Sequence, residues 1–187
     1  NWNFHDFRMT SSTTMTAGSA FHAKLLGRSF IRNVVMDGQD GSLGVQTIAA
    51  SKFWNGFWFD GIDTTTLDGF EARGRNDGLR FNGKVGGPQG DLFIRSGKIS
   101  LCNVGLRIGG AIGGVNLDDT DIIANNINVS IDQTIVATAN NQIFFGKGLA
   151  IDTPVTGPCM QVLDIGASES YLFLTGTWIA SSPNNGL

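Results

Sequence analysis

The fold is decided by a short stretch that occurs twice, as NDGLRFNG at residues 76–83 and as NVGLRIGG at residues 103–110. In both copies a glycine precedes an apolar–arginine–apolar triplet, and small or polar residues close the segment. A single β-hairpin has no use for two copies that lie 27 residues apart. A chain that coils into stacked turns does need them, because every turn must supply an equivalent strand.

A second set of units recurs at a similar spacing. Each unit begins with an apolar residue, continues with two polar or small residues and ends in a short alternating strand. The units begin at Ile31, Leu67, Ile94, Leu117, Phe145 and Leu174. Their intervals of 36, 27, 23, 28 and 29 residues lie in the range that is typical of solenoid repeats.

The fifth residue after each start is apolar in all six units, as expected of a row that points into the coil. This predicted inward row consists of Met36, Ala72, Ile99, Ile122, Ala150 and Ile179. The preceding position is mixed, which suits an outward row, because neighbouring strand residues point to opposite faces. The outward row consists of Val35, Glu71, Lys98, Asp121, Leu149 and Trp178.

A second strand follows each unit, and several of these strands are preceded by an asparagine. The asparagines are Asn76, Asn103, Asn125 and Asn185. Asparagine tolerates the left-handed backbone of a tight corner, and stacked asparagine side chains can hydrogen-bond between turns. A third short strand fits DLFI, GGVNL, NQIFF and SYLFL, each of which leads into the next unit.

The repeat therefore predicts an all-β fold, a parallel β-helix with three short strands per turn and about five to six turns. The main competing architecture is a β-sandwich, which would not require the inward row. The 26 glycines and the low charged fraction of 16% are typical of short strands joined by tight turns.

Composition also bears on partners. The net charge of −3 argues against a nucleic-acid partner, because phosphate binding needs a cationic surface. No apolar run is long enough to insert into a membrane as a spanning helix. Cys102 and Cys159 are too few for a disulfide framework.

Two segments carry a resemblance to a known family. FIRNVVMDG at 30–38 and KISLCNVGLRIGG at 98–110, with glycine and asparagine at their turns, resemble the right-handed parallel β-helices of the pectate-lyase-like superfamily. Within it, the texture rich in Gly, Asn and Thr is most similar to bacteriophage tailspikes and related virion appendages. The resemblance covers residues 30–187. Residues 1–29 are expected to form a cap, a linker or the end of a preceding turn, and the chain is expected to be part of a longer one.

The resemblance implies a homotrimer in a virion tail, assembled in the host cytoplasm with other tail proteins. Such a protein would bind, and could depolymerise, a host surface polysaccharide without a cofactor. Two other functions fit the same sequence. One is a non-catalytic structural or adhesive virion appendage, and the other is a free-standing, secreted microbial polysaccharide lyase or hydrolase.

Candidate substrate-binding residues lie between the apolar residues of the second strands. The residues predicted to face outward there are Trp58, Arg80, Arg107 and Asn128. Tryptophan offers a flat apolar face for a sugar, and arginine offers fork-shaped donors for carboxylate or hydroxyl groups. The same strip suits a subunit interface, where both residue types are enriched, or a solvated face on which Asp60 neutralises the arginines.

Glu71 and Asp121 are the candidate catalytic pair, predicted to lie two strands and so about 9.6 Å apart. That is close to the upper limit of roughly 6.5–9.5 Å for inverting glycosidases. A ladder of alternating charges, with Lys98 between the two, accounts for the same residues structurally. The acidic stretch LDDTDII at 117–123 carries no calcium-loop signature. The only two histidines, His5 and His22, lack metal-ligand spacing, so no metal site is predicted.

Overall fold

The computed structural model describes residues 2–24, 27–37, 47–82, 90–109, 114–132, 141–163 and 170–180. Within these ranges the chain is all-β, with one short 3-10 turn at Ile48–Ala50. The strands form two parallel sheets stacked as a β-solenoid of about five turns, which confirms the predicted fold class. In this part of the chain no helix is long and apolar enough to cross a membrane.

The two sheets take alternate strands of the chain. Sheet A contains β1 (Trp2–Met9), β3 (Ser29–Met36), β5 (Thr65–Ala72), β7 (Asp91–Ser100), β9 (Gly114–Ile123), β11 (Asn141–Phe145), β12 (Ala150–Asp152), β14 (Ser170–Leu174) and β15 (Trp178–Ile179). Sheet B contains β2 (Ser19–Lys24), β4 (Asn55–Asp60), β6 (Asp77–Asn82), β8 (Val104–Gly109), β10 (Ile127–Asp132) and β13 (Met160–Leu163). Every strand pairs in parallel with its equivalent one turn away, so equivalent residues form columns along the solenoid.

The six apolar residues that open the units form one such column. Ile31 pairs with Leu67, and the register then runs through Ile94, Leu117, Phe145 and Leu174. From Ile31 to Phe145 these side chains are at most 1% exposed. Phe4 of β1 precedes them in the same column. Burial of such columns removes apolar surface from water, at roughly 25 cal/mol per Å², and this holds the turns together.

The predicted inward row is confirmed at five of its six positions. Met36, Ala72, Ile99 and Ile122 are paired in succession and fully buried, and Ile179 packs against the core. The prediction for Ala150 is wrong. Ile151 pairs with both Ile122 and Ile179 and is the fully buried residue at this position of the inward row.

The error at Ala150 has a simple cause. Ile122 follows Leu117 by five residues, whereas Ile151 follows Phe145 by six. The bend at residues 146–148 thus contains one extra residue, which shifts the alternation by one. Leu149, predicted to face outward, is therefore buried, and Ala150 takes the outward position beside Asp121.

The first and third strands predicted for each turn belong to one sheet and are joined by a bend. At the bend stands a residue with left-handed backbone. In successive turns this residue is Asp6 (φ 57°), Asn33 (φ 52°), Gly69 (φ 61°), Ser96 (φ 52°) and Asp119 (φ 45°). Short polar side chains and glycine accept this conformation most readily. The polar ones also bond to each other between turns, since Asn33 Nδ2 donates to Asp6 Oδ1 at 2.9 Å.

The asparagine contacts between turns are present, with one change of residue. Asn126 Nδ2 donates to Asn103 Oδ1 at 3.1 Å, so Asn126 rather than Asn125 continues that column. Asn125 lies one residue earlier and is fully buried, where its Oδ1 accepts the backbone N–H of Cys102 at 2.9 Å. Asn185 lies outside the described residues.

The strands at residues 2–24 continue both sheets: β1 pairs with β3, and β2 pairs with β4. Residues 53–61, FWNGFWFDG, contain β4, which is the second strand of its turn. The long first interval of 36 residues therefore reflects a long connection between β3 and β4.

Substitution at residues 150 and 151 tests the register of this turn. Ile151→Ala should lower the free energy of unfolding by about 2–5 kcal/mol, because it leaves a cavity in the interior column. The control Ala150→Ser changes a partly exposed outward residue and should stay within about 0.5 kcal/mol of the parent. Urea unfolding followed by circular dichroism measures both. Equal losses, or a larger loss at Ala150, would mean that the register is wrong.

Candidate functional site

Three of the four predicted substrate-binding residues lie next to each other on the outer face of sheet B. Trp58 pairs with Arg80, and Arg80 pairs with Arg107. They belong to what we call the sheet B column, whose members are His22, Trp58, Arg80, Arg107, Ser130 and Gln161. Neighbouring strands are about 4.8 Å apart, so each side chain can contact the next.

The ring of Trp58 is covered on both faces by its neighbours in this column. His22 stacks on it with ring centroids 4.5 Å apart and planes 16° apart. On the other side Arg80 Cζ lies 4.8 Å from the ring centroid, a cation–π contact. Both faces of the ring are therefore in contact with side chains of the protein. The expectation that a sugar stacks flat on Trp58 therefore does not fit this geometry.

The partly exposed Arg107 is fixed by a carboxylate that is fully buried. Its Nε lies 3.0 and 3.1 Å from the two carboxylate oxygens of Asp77, and Nη1 donates to Asp132 at 3.4 Å. Arg80 Nη1 is also within 3.9 Å of Asp77. The residue that neutralises the arginines is thus Asp77, not Asp60 as the sequence suggested.

Burial and pairing act on Asp77 in opposite directions. Loss of solvation raises the pKa of this carboxyl above its ordinary value, and the charge and hydrogen bonds of Arg107 oppose that rise. A buried carboxylate without its partner would be strongly unfavourable. The ion pair is therefore required for the local structure.

Asn128, the fourth predicted residue, does not belong to this surface. It is fully buried, its Nδ2 donates to the backbone oxygen of Asp152 at 2.7 Å, and Ser130 pairs with Arg107 instead. By register Asn128 follows Gly78 and Gly105 in a column at the inner corner. A Cβ at either glycine would lie 2.6 Å from a neighbouring interior atom. The residue at this position therefore points into the corner, not outward.

His22, Ser130, Gln161 and Asp77 were missed by the sequence analysis. For His22 a signal was present, because AFHAK at 20–24 has the same alternation as GFWFD at 56–60. Gln161 is linked to the preceding turn, as its Nε2 donates to Ser130 Oγ at 3.0 Å. Asp77 precedes a glycine and was indistinguishable in sequence from a turn aspartate.

Glu71 and Asp121 lie in one outward column, with Lys98 between them. Two strand spacings place them about 9.6 Å apart along the column. Glu71 is paired with Arg73, whose Nη2 donates to Glu71 Oε1 at 2.5 Å. Asp121 is exposed. The structure thus brings the pair onto one surface, separated by a lysine and with one member in an ion pair.

Cysteine thiols and clusters of metal-binding side chains are the other groups that could supply chemistry. Cys102 and Cys159 are free thiols and fully buried. Burial raises the pKa of Cys102 to about 12 and also raises the pKa of Cys159. Among the described residues no group of three or more His, Cys, Asp or Glu side chains could hold a metal ion.

No family model matches the chain, and searches of curated proteins and of solved structures gave no significant match. The resemblance to phage tailspikes therefore rests on the repeat and on the turn residues alone.

Removing Arg107 tests the importance of the buried ion pair. Arg107→Met should lower the free energy of unfolding by about 3–5 kcal/mol, because Asp77 loses its partner in the interior. Lys98→Met, which removes an exposed cation, should change it by no more than about 0.5 kcal/mol. Urea unfolding measures both.

The pH dependence gives a second readout for Arg107→Met. A raised carboxyl pKa means that the folded state binds more protons than the unfolded state, so stability from this group falls as pH rises through the interval above its ordinary pKa. The loss of unfolding free energy in Arg107→Met should therefore become smaller when the pH is lowered towards 4. Adding Asp77→Asn to this variant should recover part of the loss. A deficit independent of pH and unchanged by Asp77→Asn would contradict this account.

The thiols should be unreactive in the folded protein. At pH 8 we expect neither Cys102 nor Cys159 to react with Ellman's reagent, because both are inaccessible and Cys102 is almost entirely protonated. In guanidinium both should react within the same assay, which serves as the control. If Cys102 reacted in the folded protein as fast as in the denatured chain, the corner of the solenoid around this thiol would be accessible to the reagent.

Proposed function

We propose that this solenoid is a segment of a bacteriophage tail appendage that binds an extended host surface polysaccharide along the outer face of sheet B. The observation that supports binding there is the direct succession of Trp58, Arg80 and Arg107 in one column. A homotrimeric assembly and a place in the virion are parts of the proposal that come from the tailspike resemblance.

The geometry suits hydrogen bonding from fixed donors rather than ring stacking. Arg107 uses Nε for Asp77 and Nη1 for Asp132. The amide oxygen of Asn82, in the orientation that satisfies both donors, accepts from Arg80 Nε and from Trp58 Nε1. The side chains of Arg80 and Arg107 remain 24% and 17% exposed. Donors held in this way lose little conformational entropy on binding.

A glycan that runs along the solenoid would meet Trp58, Arg80 and Arg107 on successive turns, about 4.8 Å apart. The next member of the sheet B column, Ser130, is fully buried. The remaining guanidinium N–H groups would donate to hydroxyl or carboxylate oxygens of the glycan. The acidic partners of the arginines leave little net positive charge, so hydroxyl recognition is favoured over a requirement for an acidic sugar.

The proposal is tested by the affinity of the protein for a panel of immobilised bacterial capsular polysaccharides and lipopolysaccharides. Arg80→Gln should weaken binding about tenfold or more, since a hydrogen bond to a charged group contributes roughly 1.5–3 kcal/mol. The matched control is Arg95→Gln, which makes the same change on the exposed face of sheet A and should leave affinity unchanged. Equal losses in both variants, or no retention on any polysaccharide, would contradict the proposal.

The covered faces of Trp58 and the buried Asp77 favour a second candidate, a non-catalytic structural appendage. In that case the sheet B column serves only to join successive turns. Arg80→Gln would then reduce stability, and no polysaccharide would be retained. Measuring both affinity and stability on this variant separates the two functions.

Catalysis by Glu71 and Asp121 stays a prediction, and the same panel tests it. Release of soluble reducing ends by the parent protein, lost in Glu71→Gln, would establish cleavage at this pair. An accompanying rise in ultraviolet absorbance would indicate elimination rather than hydrolysis.

A further inference from the structure

The outer side of sheet A, before the bend in its strands, carries a column of charges that alternate in sign. In successive strands this column consists of Arg32, Asp68, Arg95 and Asp118. Asp68 is partly exposed and the other three are exposed, while the residue before each of the four is buried. Because β1 and β11 flank the four strands on either side, the exposure of this column does not arise at an end of the solenoid.

The charges of this column do not neutralise one another through close contacts. The ion pairs among the described residues include none of the four side chains. Arg32 lies instead over the ring of Phe30, with its Cζ 5.8 Å from the ring centroid. Opposite charges on neighbouring strands still attract one another, but the charged groups remain available to a partner.

A second outward column lies beside the charged one, two residues earlier in each strand. It consists of Phe30, Thr66, Phe93 and Asn116, all partly buried. Aromatic residues and arginine are enriched in protein–protein interfaces. We call the two columns together the sheet A face.

The charge pattern of the sheet A face restricts the kind of partner that fits. Its two arginines are matched by two aspartates, so the face has no net charge. A uniformly anionic or cationic partner would gain at two positions and lose at the other two. The favoured partner has charges that alternate at the same spacing of about 4.8 Å. A second copy of this chain has that spacing.

We infer that two copies of this chain associate through the sheet A face, with their solenoid axes antiparallel. The two-fold axis runs parallel to the strands, between β5 and β7, and reverses the order of the turns. Asp68 of each copy then faces Arg95 of the other. Arg32 of each copy likewise faces Asp118 of the other. Every position of the charged column is therefore opposite a charge of the other sign, as a two-fold interface requires.

The same charges disfavour the parallel arrangement. With parallel solenoid axes, a two-fold axis would bring the same turn of both copies together. Asp68 would then face Asp68, and Arg95 would face Arg95, so like charges would repel along the whole column. The second column agrees with the antiparallel arrangement, because Phe93 of one copy then faces the shorter Thr66 of the other. The sheet A face therefore specifies a direction as well as a partner.

The sheet B column lies outside this contact, so the affinity of each chain for a polysaccharide does not depend on it. The antiparallel dimer also differs from the homotrimer of the proposed function, which has the mass of three chains. The inference and the proposed function can therefore fail separately.

Light scattering coupled to size exclusion at low ionic strength tests the inference. The parent protein should have twice the 19.9 kDa mass of one chain. Asp68→Arg and Arg95→Asp each place like charges opposite one another at two positions, so each should weaken dimerisation roughly a hundredfold or more. Lys98→Asp reverses a charge beyond the bend of the same strand and is the control, which should keep the mass of the parent. Circular dichroism verifies folding.

Mixing the two charge-reversal variants gives the decisive result. In the mixture the arginines of one variant face the aspartates of the other, so a dimer with one chain of each should form. If either variant does not fold, Arg32→Asp and Asp118→Arg form the equivalent complementary pair.

Three results would overturn the inference. The first is a parent protein that stays at the mass of one chain. The second is a trimer whose mass neither variant changes, which would leave the proposed function intact. The third is a mixture that stays at the mass of one chain, because the loss in each variant would then come from repulsion within its own column.

Discussion

In-register parallel stacking is the constraint on which the rest of this structure depends. Each turn of about 27 residues brings equivalent positions into columns, so an apolar residue at one position must be matched in every turn. A side chain that fits the alternation of its own strand but not the other side chains of its column would disrupt the packing between turns. The same rule governs the outside, where register places His22, Trp58 and Arg80 next to one another and their side chains stack.

Much of the fold could be predicted because the column rule is visible in the sequence. The spacing of the units that begin at Leu67, Ile94 and Leu117 indicated the repeat, and the alternation around Ile99 indicated the face that is buried. The joining of two predicted strands at a bend was not foreseen. The bend residues are Asn, Asp, Ser or Gly, and these residues are equally common in ordinary loops, so their left-handed backbone could not be separated from a turn between sheets.

Three of the six members of the sheet B column were predictable, but their contacts were not. Alternation placed Trp58, Arg80 and Arg107 on one outward column, which the register bears out. Whether the ring of Trp58 offers its face or its edge depends on the neighbouring turns, and sequence periodicity contains no such information. The buried position of Asp77 depends on Arg107, which lies 30 residues away in sequence. Asn128 was misplaced because its strand lacks the corner glycine that marks the two preceding turns.

The extra residue between Phe145 and Leu149 shows how this architecture tolerates change in length. The insertion falls in the solvent-facing bend, and the next turn again has five residues from Leu174 to Ile179. A coiled coil that gains one residue shifts all later positions, whereas here each turn aligns afresh on the turn before it. Solenoids of this kind can therefore diverge turn by turn through small insertions, and related chains could differ in repeat length at every bend while keeping one continuous core.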